Sequence, residues 1–253
     1  MPSTLRMTSM MKSIFASLAL ASALLLTAAD PVTAQQQPQA SAAPAQTGPL
    51  HVDINEGNLN PMPIAIVDFL AGNPAAQQVG GDIAGVIRAD LDRSGLFHPI
   101  DQNAFIEHIQ ALEVPPRFAD WKIISAQALV VGQITPMPEG RIQVEFRLWD
   151  VYSEQFLTGF RYVTTADNWR QIAHRISDQI YQQLTGESGY FDTRIVFVSE
   201  SGPKTRRVKR LMIMDQDGAN PSDLTSADAM VLTPRFSPST QKITYMSFET
   251  GAP

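Results

Sequence analysis

From Arg141 to Asp150 the chain reads RIQVEFRLWD, in which Ile142, Val144, Phe146 and Leu148 alternate with Gln143, Glu145, Arg147 and Trp149. Successive side chains of a strand point to opposite faces, so this run predicts a strand with one buried face and one wet face. Ala128 to Ile134 is apolar at both parities and predicts a core strand, closed by Pro136 and Pro138. Glu139-Gly140 then signals a tight turn, and Phe156 to Thr164 supplies a further strand, so the three form a meander. Upstream, Pro63 to Phe69 reads as a buried strand and Leu50-His51-Val52-Asp53-Ile54 as a short, half-exposed one.

Elsewhere the apolar period lengthens to that of a helix. Between residues 77 and 93, Val79, Ile83, Val86, Ile87 and Leu91 share one face, and Gly95 follows as a stop. Asp101 to Ile106 predicts a second, short helix. Asp167 stands where an N-cap is expected, ahead of a stripe of Trp169, Ile172, Ala173, Ile176, Ile180 and Leu184 that ends at Gly186. Residues 50–189 therefore predict an α+β domain, about a five-stranded mixed sheet with helices on one face.

Beyond Tyr190 only short strands and turns remain. Thr193 to Ser199, Val208 to Asp215, Met230 to Ser237 and Ile243 to Phe248 read as strands, and the runs beginning at Ile195 and Ile243 repeat 48 residues apart. That period belongs to propeller blades of four strands. Residues 190–253 thus predict the first blade of a β-propeller and the beginning of a second. Because a blade is buried by its neighbours, more blades are expected in a longer native chain, and the 35–253 fragment is expected to aggregate through open sheet edges unless shortened to about residue 190.

At the other end, Arg6 and Lys12 precede an apolar run from Ile14 to Ala29, with no acidic residue before Asp30. This is the pattern of a secretory signal peptide over residues 1–34, with cleavage expected after Ala34 in Val32-Thr33-Ala34. Residues 35–49, rich in Gln, Ala and Pro, hold neither charge nor large apolar groups and predict a disordered arm. No second long apolar run follows, so the mature chain is expected to be soluble.

Composition narrows the chemistry. The 253 residues contain no cysteine, which removes disulfides, zinc–thiolate sites and cysteine nucleophiles. Formal net charge is −6. Residues 35–189 carry 9 Lys and Arg against 17 Asp and Glu, the reverse of a phosphate-binding surface. The basic run Lys204, Arg206, Arg207, Lys209 and Arg210 fits the solvated start of a strand. His51, His98, His108 and His174 fall in four separate elements, without H-E-x-x-H or comparable spacing. No phosphate-binding glycine loop is present, and Ser199-Glu200-Ser201-Gly202 is not a nucleophile elbow. Asp215-Gln216-Asp217-Gly218 alternates acids as a calcium loop does, but Ser226 stands where the twelfth-position acid belongs, and Asp-Gly after a strand is a hairpin signal. The residues predict no catalytic centre, no metal and no cofactor.

Arg235 to Phe248, RFSPSTQKITYMSF, resembles the R-F-S-P-D-G-type blade signature of the TolB family, with Ser239-Thr240 in place of Asp-Gly. The order of features also resembles that family: leader, short strand, Met62-Pro63-Ile64-Ala65-Ile66-Val67, mixed domain, helix, and then Met212 to Asn220. The resemblance implies a non-enzymatic periplasmic protein with an α/β front domain and a six-bladed propeller. It further implies an adaptor of the Tol-Pal system that joins TolA at the inner membrane to the lipoprotein Pal, in outer-membrane integrity and cell division. On this resemblance the TolA-binding segment is Leu50, His51, Val52, Asp53, Ile54 and Asn55, which suits β-augmentation. An edge strand of its own domain is equally compatible with the alternation there. The rival reading is the propeller of a prolyl-oligopeptidase-type serine peptidase, and a third is a carbohydrate-binding propeller.

Overall fold

The computed structural model of the protein describes residues 60–227 and 230–251. The leader, the Gln/Ala/Pro tract and the Leu50–Asn55 segment lie outside them. In chain order the elements are β1 (Met62–Ile66), β2 (Leu70–Ala71), α1 (Pro74–Arg93), β3 (Phe97–Pro99), α2 (Phe118–Ile123), β4 (Ala128–Pro136), β5 (Arg141–Asp150), β6 (Gln155–Thr165) and α3 (Trp169–Thr185). After them come β7 (Arg194–Ser201), β8 (Val208–Asp215), β9 (Ser222–Asp223), β10 (Val231–Phe236) and β11 (Ile243–Ser247). No helix among the described residues is long and apolar enough to cross a membrane.

The first six strands form one mixed sheet in the order β3-β1-β4-β5-β6, with β2 paired to β4. β1 runs parallel to β3 and β4, while β4, β5 and β6 form the antiparallel meander. Strand parity divides the core in two. Ile64, Ile66, Val130, Val144 and Phe146 pack with Ile83, Ile87 and Leu91 of α1 and Ile172, Ile176 and Ile180 of α3. Ala65, Leu129 and Val131 face the opposite way, against Ile109, Leu112 and Trp121 of the 105–126 segment. Helices therefore cover both faces rather than the one expected. The second cover escapes periodicity because α2 has only 6 residues and is pinned by a side chain, Trp121 Nε1 donating to Glu107 Oε2 at 2.6 Å.

Several boundaries also differ from expectation. The Pro63 to Phe69 run leaves the sheet after Ile66, because Phe69 turns inward as a fully buried plug. Asp101 to Ile106 makes one 3₁₀ turn over Gln102–Ala104, in which the Asp101 side chain accepts from Asn103 N at 2.9 Å, and it does not grow into a helix. Asp167 is not the N-cap of α3. It sits in a 3₁₀ turn over Ala166–Asn168, and the cap position falls to Asn168, which makes no side-chain capping bond. β3 has 3 residues, too few to carry an alternation.

The turn chemistry follows the sequence closely. Glu139 (φ 62°) and Gly140 (φ 69°) both take the left-handed region, as a type I′ hairpin turn requires, and Met137 N donates to Arg141 O at 2.8 Å. Gly186 ends α3 at φ 80° with its N–H returned to Gln182 O at 2.9 Å. The later strands form a three-stranded sheet, β7-β8-β9, and an antiparallel pair, β10-β11, with β10 lying against β7 and β8.

Phe69 sets how closely α1 can approach the sheet. A Cβ at Gly132 of β4 would stand 2.4 Å from its ring, and a Cβ at Gly80 of α1 would stand 2.3 Å from its carbonyl oxygen. On propensity alone, alanine in place of a mid-helix glycine stabilises by about 1 kcal/mol. At Gly80 the backbone contact reverses the sign: Gly80→Ala is expected to destabilise by roughly 1–3 kcal/mol, the usual cost of overpacking. Urea unfolding checks this, and a variant as stable as the parent would show that α1 is not held against that carbonyl.

Candidate functional site

Two polar residues occupy the apolar stripes of the long helices. Asp90 lies between Ile87 and Leu91 on α1, and His174 follows Ala173 on α3, and both are buried. Their proximity is no accident of surface packing: a buried carboxylate is tolerated only when its oxygens are satisfied. Asp90 Oδ2 pairs with His174 Nδ1 at 2.7 Å, while Oδ1 accepts from Arg93 at 2.9 Å and from Gln216 Nε2 at 3.1 Å.

Gln216 belongs to the turn between β8 and β9, which packs on the two helices. Asp215 N donates to Ala219 O at 2.9 Å and Gly218 N to Asp215 O at 3.0 Å, with Gly218 at φ 88°. The Asp-Gly hairpin turn read from the sequence is therefore present. Asp217, the next residue, accepts from Arg170 Nε of α3 at 3.1 Å and from a second nitrogen of the same guanidinium, and its Oδ1 accepts from Ala219 N at 3.0 Å. On its other side Asp217 Oδ2 stands 3.7 Å from His174 Nε2.

Burial disfavours the imidazolium of His174, but the Asp90 hydrogen bond and the charges of Asp90 and Asp217 outweigh both burial and Arg170, so its pKa is raised. For Asp217, burial raises the pKa, yet the Ala219 N–H, Arg170 and His174 prevail and hold it below the ordinary carboxylate value. Both shifts express one fact: opposite charges from α1, α3 and the β8–β9 turn meet out of water. Alongside them a cleft runs between α3 and β8, lined among others by Asn168, Gln171, Asp192, Asp215 and Asn220.

The connection from α3 to β7 is anchored from the same helix. Asp178 accepts from Phe191 N at 2.7 Å and Asp192 N at 3.2 Å. Burial outweighs these two bonds and raises its pKa. Arg175 Nε donates to Asp192 at 3.0 Å, and the rings of Tyr181, Tyr190 and Phe191 stack edge to face or tilted, with Phe191 fully buried.

Of the residues singled out from sequence, Leu50, His51, Val52, Asp53, Ile54 and Asn55 lie outside the described residues. His98 and His108 are exposed. Among the described residues, His174 is the histidine that the fold brings to acids, and the sequence reading passed it over, since Asp90, His174 and Asp217 are far apart in the chain. The available signal was a charged or polar residue at a stripe position of each helix.

An α/β domain joined through buried ion pairs to propeller-like strands defines the class: a protein with a mixed front domain ahead of a β-propeller. Residues 50–157 match the TolB amino-terminal domain and residues 181–253 the TolB beta propeller domain, together more than half of the chain. The solved TolB of Acinetobacter baumannii is 32% identical, with a TM-score of 0.64 over 80% of this chain and 48% of that one. The chain belongs to the TolB family, one of non-enzymatic periplasmic proteins. It spans about half the length of the TolB it matches. Among other solved structures, lipoprotein GNA1162 from Neisseria meningitidis is 17% identical, with a TM-score of 0.35 over 49% of this chain and 100% of that one. The LpoB C-terminal domain from Salmonella enterica is 9% identical, with a TM-score of 0.30 over 48% and 87%.

Asp178→Ala leaves two backbone N–H groups of the connection without their acceptor. The expected loss is about 1–3 kcal/mol, carried by the part-buried Phe191 N–H, since water replaces the carboxylate at the exposed Asp192 N–H. Hydrogen exchange at the amides of Phe191 and Asp192 is expected to accelerate more than at β5. Unchanged exchange there would show that Asp178 does not fix the connection.

Proposed function

We propose that this chain acts without catalysis as a periplasmic adaptor of the Tol-Pal type. The front segment Leu50–Asn55 engages the periplasmic domain of TolA, and the propeller engages the lipoprotein Pal, so that the envelope is drawn together during outer-membrane maintenance and division. The observation that carries this reading is the match of both TolB models, in order, along the same chain. The structure is compatible with it: the mixed sheet and the propeller-like strands are held by ion pairs between elements, a frame on which peripheral segments can recruit partners.

The apolar-polar alternation of Leu50, Val52 and Ile54 supports strand addition, in which backbone hydrogen bonds supply affinity and alternate side chains supply selectivity. The experiment is capture of the chain by the immobilised C-terminal domain of TolA, comparing the full chain with forms lacking residues 35–49 or residues 35–56. Removal of 35–49 is expected to leave binding within about twofold and removal of 35–56 to abolish it, because backbone pairing by 50–55 carries the affinity. Binding that survives the longer deletion would overturn the assignment of the segment.

A further inference from the structure

The pairing of Asp90 with His174 leaves one atom unaccounted for. His174 Nε2 is buried and has no hydrogen-bond partner among the described residues. It faces Asp217 Oδ2 at 3.7 Å, and a carboxylate oxygen of Asp215 completes a group whose ligand atoms lie within 4.8 Å of one another. A separation of 3.7 Å is too long for a direct hydrogen bond. It is also too short for a bridging water, since two ordinary bonds of about 2.8 Å would have to close to an angle of roughly 80°. A metal ion with bonds of about 2.0–2.1 Å spans the same gap at an angle of roughly 130°, and a slight contraction reaches the tetrahedral value.

We propose that His174, Asp217 and Asp215 form a binding site for a borderline divalent cation of the zinc class, which staples the β8–β9 turn to α3. The donor set favours this class: one imidazole nitrogen and two carboxylates suit Zn²⁺ or Co²⁺ better than the all-oxygen shell of Ca²⁺ or Mg²⁺. The outer partners are those that such sites use. Asp90 binds the other imidazole nitrogen, which fixes the ring and aims Nε2 at the turn, as carboxylates behind metal-bound histidines do. Arg170 donates to Asp217 Oδ2, the same oxygen that stands 3.7 Å from His174 Nε2, and so fixes that oxygen beside the imidazole. Asn220 Nδ2 donates to Asp215 Oδ2 at 2.6 Å and steadies the third ligand. Asp215 and His174 also line the cleft beside α3, which admits the ion and the water that fills its fourth position.

The full chain, stripped with a chelator, is titrated with Co²⁺ in the visible range and with Zn²⁺ by calorimetry. Expected are one-to-one uptake of both ions, tetrahedral cobalt bands, and slower hydrogen exchange at Gln216–Ala219 on saturation. Asp215→Asn preserves the size of the side chain while weakening a ligand, and it is expected to reduce Zn²⁺ affinity by about tenfold or more. His174→Gln should abolish the cobalt bands. Absence of one-to-one uptake, or uptake that Asp215→Asn leaves unchanged, overturns the site and leaves a metal-free ion-pair cluster in its place.

Discussion

The structure turns on the buried carboxylate of Asp90. A charge removed from water costs several kcal/mol unless it is paired and hydrogen-bonded, and the cost falls on any arrangement that leaves it bare. Arg93 of its own helix reaches Asp90 Oδ1, but Oδ2 is satisfied only by His174 from α3, and the β8–β9 turn adds Gln216 as a second donor to Oδ1. The hydrophobic contacts of Ile83, Ile87, Ile176 and Ile180 drive the helices together, but they tolerate small slides. The Asp90–His174 bond does not, and so it fixes the register of the helix pair, while Gln216 ties the β8–β9 turn to the same carboxylate.

That register has consequences along the chain. α3 lies on the sheet with one stripe, holds Asp217 through Arg170 from the next face, and holds the connecting segment through Asp178 and Arg175. One helix thereby couples the mixed sheet to both the connection and the turn. The Phe69 plug does the corresponding service for α1: glycine at positions 80 and 132 leaves room for its carbonyl and its ring, so that α1 packs closely on the sheet.

Much of this frame was legible because it is periodic. β5 shows on nearly every residue the alternation that a half-buried strand needs, and the stripe of α3 is regular from Ile172 to Leu184. Glu139-Gly140 and Asp217-Gly218 marked their turns by backbone chemistry alone. What was not legible was either short or non-local. β3 and α2 offer too few residues for a period, and Asp167 has the composition of a cap without the geometry, because a 3₁₀ turn precedes the helix. The cluster at His174 draws on α1, α3 and the turn after β8, so no spacing along the chain announces it. Its trace in the sequence is the polar exception on each helix stripe, Asp90 and His174, which periodicity analysis treats as noise.

A polar junction between the front domain and the propeller-like strands behaves differently from an apolar one. Apolar contact area is lost gradually as two surfaces slide, whereas removing one partner of a buried ion pair costs about 3–5 kcal/mol at once, because the other is left charged and dry. Engaged, the junction pairs Asp90 with His174 and Asp217 with Arg170, and separating either pair leaves charges that water must take up. Such a junction resists gradual sliding of the β8–β9 turn against α3. Asp178, on that same helix, also anchors the connecting segment at Phe191, so the turn and the connection are held by one helix.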